Sequence, residues 1–188
     1  MQYAHGGDIY TYKNLLDFSI NVNPLGPADA VVEAAARSLQ RIGEYPDSQS
    51  RELRNALAEK KGLAAEQFVI GNGAADLLFS LVLAEKPQKA MIVIPAFSEY
   101  EQALKTVGCE ILYHEVKKEN NFRLGTDLTE KITSELDFLF LCSPSNPAGQ
   151  AVEKEFLIKI AEKCEKERVR LVLDECFVQF LTSGEEAS

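Results

Sequence analysis

The sequence predicts an α/β fold built on a mostly parallel sheet, and three observations point there. From residue 67 onward, short apolar runs of strand length alternate with amphipathic stretches of helical length, the mark of βαβ units. Most of the runs lead directly into a segment rich in Gly, Pro, Asn or Asp, where such sheets place their ligands. The chain has 188 residues, 46% hydrophobic and 26% charged, which is an ordinary globular composition and enough for one well-buried core.

In chain order, residues 1–26 form a Gly/Asn/Pro-rich arm whose one short apolar stretch is Leu15-Leu16-Asp17-Phe18, so a surface arm is expected. Residues 27–66 read as a helical segment. Pro27 suits a helical first turn and is followed by Val31, Ala35, Leu39 and Ile42 at helical spacing; Tyr45-Pro46-Asp47 ends this helix. A second helix from about Gln49 is expected to bury Leu53 and Leu57 and to stop at Gly62. Residues 67–181 carry the α/β pattern. The expected strands are Phe68–Ile70, Met91–Ile94, Ile111–Val116, Phe138–Leu141 and Leu171–Leu173, with helices near 74–85, 98–107, 126–134 and 152–167. Residues 182–188 form a polar tail.

Several function classes are disfavoured. Twenty basic against 29 acidic residues give a formal charge of −9, which repels nucleic-acid backbones, and the basic cluster Lys163–Arg170 is interleaved with glutamates. No apolar run approaches the ~20 residues of a membrane span, and the first residues lack a signal-peptide pattern, so no membrane contact and a cytoplasmic location are expected. Cys109, Cys142, Cys164 and Cys176 form no C-x-x-C pair, so buried reduced thiols are expected and no metal.

The strand ends carry the candidate chemistry. Gly71-Asn72-Gly73-Ala74 sits at a strand-to-helix junction, where free N–H groups can cradle a phosphate, although a tight turn using glycine explains the same residues. Asp76 stands where a dinucleotide fingerprint would need its third glycine, and no Gly-Lys-Ser/Thr follows, so Rossmann and P-loop patterns are excluded. Phe97 follows the strand at Met91–Ile94. Ser143-Pro-Ser-Asn146-Pro-Ala-Gly149 stiffens a loop around one amide. Asp174 closes Leu171-Val172-Leu173, either as a turn cap or as partner to a ligand cation.

The Asn146 loop, followed after one helix by Leu-Val-Leu-Asp174-Glu175-Cys-Phe177, resembles the class I/II aminotransferase family of pyridoxal-phosphate enzymes, over residues 1 to about 181. The resemblance implies the large domain of fold-type I enzymes, a three-layer αβα sandwich, here truncated at its C-terminal side. His5-Gly6-Gly7-Asp8, Asp17-Phe18-Ser19-Ile20-Asn21-Val22-Asn23-Pro24-Leu25-Gly26 and Pro95-Ala-Phe97-Ser98-Glu99-Tyr100-Glu101 are most similar to the threonine-phosphate decarboxylases. The histidinol-phosphate aminotransferases are the neighbouring group and share Tyr45-Pro46-Asp47; Phe177, where they usually carry tyrosine, favours the decarboxylases.

By this resemblance, Asn72, Gly73 and Ala74 would hold the cofactor phosphate, and Phe97 would stack on the pyridine ring. Asp174 would pair with the ring nitrogen, and Asn146 with the phenolic oxygen. Tyr45 would reach the cofactor phosphate of a partner subunit, implying a homodimer. His5, Asn21 and Asn23 would serve a phosphorylated amino-acid substrate, His5 having the simpler reading of an exposed terminal imidazole. The implied reaction is decarboxylation of L-threonine O-3-phosphate to aminopropanol phosphate in cobalamin biosynthesis.

The family's Schiff-base lysine follows the Asp-x-x-Phe/Tyr string, and here no Lys or Arg follows Arg170. The chain therefore reads as the N-terminal part of such an enzyme, without the small C-terminal domain, and is not expected to turn over alone. A histidinol-phosphate transaminase is the alternative within the family. A non-catalytic cofactor-binding or interaction protein is the alternative outside it.

Overall fold

The computed structural model describes residues 6–13 and 15–181; His5 and the tail at 182–188 lie outside the described residues. The chain divides into two compact units, Met1–Ile70 and Gly71–Ser188. In the first unit the described residues of the arm form no helix or strand. Its two glycine-bearing strings meet: the Gly7 N–H donates to Ser19 Oγ at 2.9 Å, and a Cβ on Gly6 would stand 2.3 Å from the Ser19 carbonyl oxygen. Only glycine fits there.

Helix α1 spans Asp29–Ser38 and runs into a 3₁₀ turn at Leu39–Arg41. Its N-cap is Ala28, so Pro27 precedes the helix and does not occupy its first turn. Helix α2, Arg51–Lys61, ends at Gly62 in the left-handed conformation, as its sequence requires. The expected burial of Leu53 is not seen: it is 49% exposed, and Leu57 is only half-buried. Helical spacing created an apolar face, but α2 has no buried residue.

The second unit holds a four-stranded parallel sheet in the order β2-β1-β3-β4, with β1 at Lys89–Ile94, β2 at Glu110–Glu115, β3 at Phe138–Cys142 and β4 at Arg170–Asp174. Helix α3 (Gly73–Glu85) precedes β1, and helices α4 (Ser98–Thr106), α5 (Leu128–Lys131) and α6 (Lys154–Glu167) connect the strands. Strand side chains alternate between faces. Ala90, Ile92, Phe138 and Phe140 pack with Leu78 and Val82 of α3 and with Tyr100, Ala103 and Leu104 of α4. Met91, Leu139 and Leu141 pack with Leu128, Ile132, Ile160 and Cys164 on the other face. The result is the three-layer αβα sandwich. Central β3, paired on both edges, is buried throughout, which explains its unbroken Phe-Leu-Phe-Leu-Cys run.

Two elements depart from the sequence reading. Phe68 is extended, but Phe68–Ile70 joins no strand among the described residues, and Val69 is 76% exposed. An apolar run becomes a strand only when a neighbour takes its backbone hydrogen bonds. Helix α5 is a single turn, because Ile132 leaves the helix with extended backbone while its side chain remains in the core. At the amino-terminal end of the sheet, Asp137 Oδ2 accepts the N–H groups of Gln88, at 2.7 Å, and Lys89, at 3.0 Å, tying the start of β1 to the residue before β3.

Candidate active site

The chain enters the sheet at β1, steps outward to β2, then returns across β1 to lay down β3 and β4. The order therefore reverses between β1 and β3, and the crevice at the carboxyl ends of these strands is where open α/β sheets bind ligands. Phe97 follows β1, Asn146 follows β3, and Asp174 is the last residue of β4, in register with Cys142 across the ladder. The sheet thus gathers three of the sequence-predicted residues at one end.

Asp174 is the most firmly held. Tyr100 O–H donates to its Oδ2 at 2.5 Å, and the Cys176 N–H donates to its Oδ1 at 2.9 Å. Tyr100 is 1% exposed, stacked on Phe140 with ring centroids 5.4 Å apart and edge-on to Phe97 at 5.9 Å. Burial, then the hydrogen bond to Asp174, push its phenol well above the usual range, so it stays a protonated donor. Tyr100 was not singled out in the sequence. Its signal was helical spacing with Ala103 and Leu104 on the core face of α4, since a buried tyrosine hydroxyl needs a partner.

The loop after β3 is closed by its own backbone: Ser145 N–H donates to the Gln150 carbonyl at 2.8 Å and Gly149 N–H to the Ser145 carbonyl at 2.7 Å. Ser143 N–H donates to the Asp174 carbonyl at 2.9 Å, and Ser143 Oγ accepts the Val152 N–H at 3.0 Å. Asn146 is held, half-buried, in this frame. Helix α3 begins at Gly73, whose φ of +86° suits glycine; Asn72 supplies no side-chain cap, and Gly73 and Ala74 are exposed. Asp76 Oδ2 accepts the Asn72 N–H at 2.8 Å.

The residues assigned to the first unit are less gathered. Tyr45 is 99% exposed and Asn21 is exposed. Asn23 closes its own turn, its amide donating to the Gly26 carbonyl at 3.0 Å while its oxygen accepts the Leu25 N–H at 3.0 Å. Of the cysteines, Cys109, Cys142 and Cys164 are buried as expected, whereas Cys176 is exposed, because the turn after β4 carries it out of the sheet. Partial desolvation and the neighbouring Asp174 carboxylate still push its thiol up to about 12. A polar groove of about 510 Å³, lined in part by Gln88, Asp137 and Arg170, lies at the opposite end of the strands, away from this constellation. No helix among the described residues is long and apolar enough to cross a membrane.

The profile described as aminotransferase class I and II matches residues 13–188. The chain belongs to this family. Threonine-phosphate decarboxylase of Salmonella typhimurium is 38% identical over 186 residues, 95% of this chain and 51% of that protein. Histidinol-phosphate aminotransferase of Methanococcoides burtonii is 33% identical over 173 residues, 89% of this chain and 46% of that one. The chain thus spans about half the length of these relatives. Among solved structures, the histidinol-phosphate aminotransferase from Clostridium acetobutylicum superposes with a TM-score of 0.76 at 28% identity, covering 88% of this chain and 48% of that one. The L-threonine-O-3-phosphate decarboxylase from Porphyromonas gingivalis shares the fold at a TM-score of 0.69 and 23% identity, covering 84% and 45%. Family membership and the α/β architecture expected from the sequence therefore agree with both kinds of comparison.

Proposed function

We propose that this chain forms the cofactor-binding part of a pyridoxal-phosphate enzyme that decarboxylates L-threonine O-3-phosphate. The observation that carries the reading is the meeting of Phe97, Asn146 and Asp174 at the switch point of the sheet, on a chain 38% identical to a threonine-phosphate decarboxylase across 95% of its length. The donor set fits the cofactor. A carboxylate already fixed by Tyr100 and the Cys176 N–H suits a protonated ring nitrogen, a half-buried aromatic suits the ring face, and the exposed N–H groups of Gly73 and Ala74 at a helix start suit a phosphate.

When bound, pyridoxal phosphate supplies an electron sink for the pair left on the substrate α-carbon as carbon dioxide departs. Asp174 would keep the ring nitrogen charged, and Tyr100 keeps Asp174 aimed. Asn146 would donate to the phenolic oxygen from a loop that its own backbone hydrogen bonds hold in place. Asn21, with His5, serves the substrate's anionic groups, while Asn23 shapes the turn beside them. Tyr45, fully exposed, is available to a partner subunit in a homodimer, and the protein works in the cytoplasm.

Pyridoxal phosphate added to the chain should give a saturable absorbance change that Asp174→Ala weakens at least tenfold; no binding at all would favour a non-catalytic interaction protein. A protein carried to the full length of its relatives should release carbon dioxide from threonine phosphate. Formation of glutamate from histidinol phosphate and 2-oxoglutarate instead would assign it to the transaminases, a reading supported by the 33% identical relative.

A further inference from the structure

Asp174 has two sulfur neighbours that the proposed chemistry does not use. Cys142 ends β3 directly across the ladder from Asp174, and Cys176 lies two residues beyond it. Cys142 Sγ, a carboxylate oxygen of Asp174 and Cys176 Sγ all lie within 4.8 Å of one another. The sequence hides this grouping, since one cysteine ends β3, the other lies in the turn after β4, and the two form no short motif.

The spacing suits a shared cation. Two sulfurs on zinc legs of about 2.3 Å stand about 3.8 Å apart at the tetrahedral angle, with the carboxylate as third ligand and the fourth position open. A disulfide would require the sulfurs to close to about 2.05 Å. The carboxylate is already oriented from outside the group by Tyr100 O–H, the kind of outer-shell bond that fixes metal ligands. Cys176 is exposed and gives an entry path to the buried Cys142. Two thiolates with one carboxylate select soft, thiophilic divalent cations over Mg²⁺ or Ca²⁺.

We propose that Cys142, Asp174 and Cys176 form a capture site for a thiophilic divalent cation, Zn²⁺ or Cd²⁺, on the carboxylate assigned to the cofactor, so that cation and cofactor exclude each other. The exclusion, though not the metal site, rests on the function proposed above. Zinc so bound is an inhibitor and not a catalyst, because it removes the anion that holds the ring nitrogen.

The test is a Cd²⁺ titration of the metal-free chain in a non-chelating phosphine reductant, read by the ultraviolet thiolate-to-cadmium charge-transfer band. One equivalent should saturate the band. Affinity should fall by about tenfold or more in Cys176→Ser and Cys142→Ser, and should be unchanged in Cys109→Ser and Cys164→Ser. Cys176 is exposed, so its replacement tests the site without disturbing the core. No band, or one that survives Cys176→Ser, overturns the site. Saturating pyridoxal phosphate should weaken Cd²⁺ binding by about tenfold or more; unchanged cadmium affinity with cofactor visibly bound overturns the exclusion. Failure of the cofactor to bind at all counts against the proposed function, and the cadmium titration alone then decides the metal site.

Discussion

In the second unit, Leu139, Ile132 and Ile160 are sealed from solvent between a sheet and its helices, whereas in the first Leu15, Phe18, Leu39 and Leu53 stand exposed. Both units carry apolar residues at regular spacing. The difference is cover: β1 and β3 offer two faces on which helices can lay their apolar stripes, while α1 and α2 have helical faces with no buried residue. Spacing makes a face, and only a second layer turns it into a core.

Side-chain truncation should separate the units. Leu139→Ala, in the fully buried strand, should cost about 2–5 kcal/mol, read as a fall in the urea midpoint at unchanged slope. Tyr100→Phe keeps the ring packing and removes the hydroxyl bonded to Asp174, so a loss of roughly 1–3 kcal/mol is expected. A Tyr100→Phe protein as stable as the parent would mean the Asp174 contact contributes little.

A smaller effect should appear with pH. His114 is buried on β2, and burial, then the Lys131 ammonium whose Nζ lies 3.0 Å from its Nδ1, lower its pKa below the usual 6.5, with Asp127 opposing. The unfolded chain then binds the extra proton first. Stability should fall as pH drops below about 6.5 and level off once pH passes the lowered folded value, and His114→Gln should flatten that slope in denaturation series at several pH values. Smallest of all, Leu53→Ala on half-exposed α2 should stay within about 0.5 kcal/mol of the parent. A larger loss there would show that α2 has a cover beyond the described residues.

The fold was readable where local pattern and tertiary need coincide. Phe138–Leu141 announced a strand through an unbroken apolar run, which survives because both edges and both faces of β3 are occupied, and Asn146 announced itself through the prolines around it. Phe68–Ile70 misled because its composition suits a strand but pairing is a property of neighbours. Asp174 was visible as a carboxylate at a strand end. Tyr100 and Cys176 were not, because their link to Asp174 joins residues 74 apart in one case and depends on a turn in the other. Strand ends are local facts, and the company they keep is not.

One carboxylate far from the crevice governs its alignment. With Asp137 fastened to the first two amides leading into β1, a slip of β3 by a single residue would break both bonds and turn Phe138 and Phe140 toward the wrong layer. Asp137 is a datum from which about 16 Å of strand is measured out to the asparagine loop. Loosening it would blur where Asn146 stands without touching any group at the site.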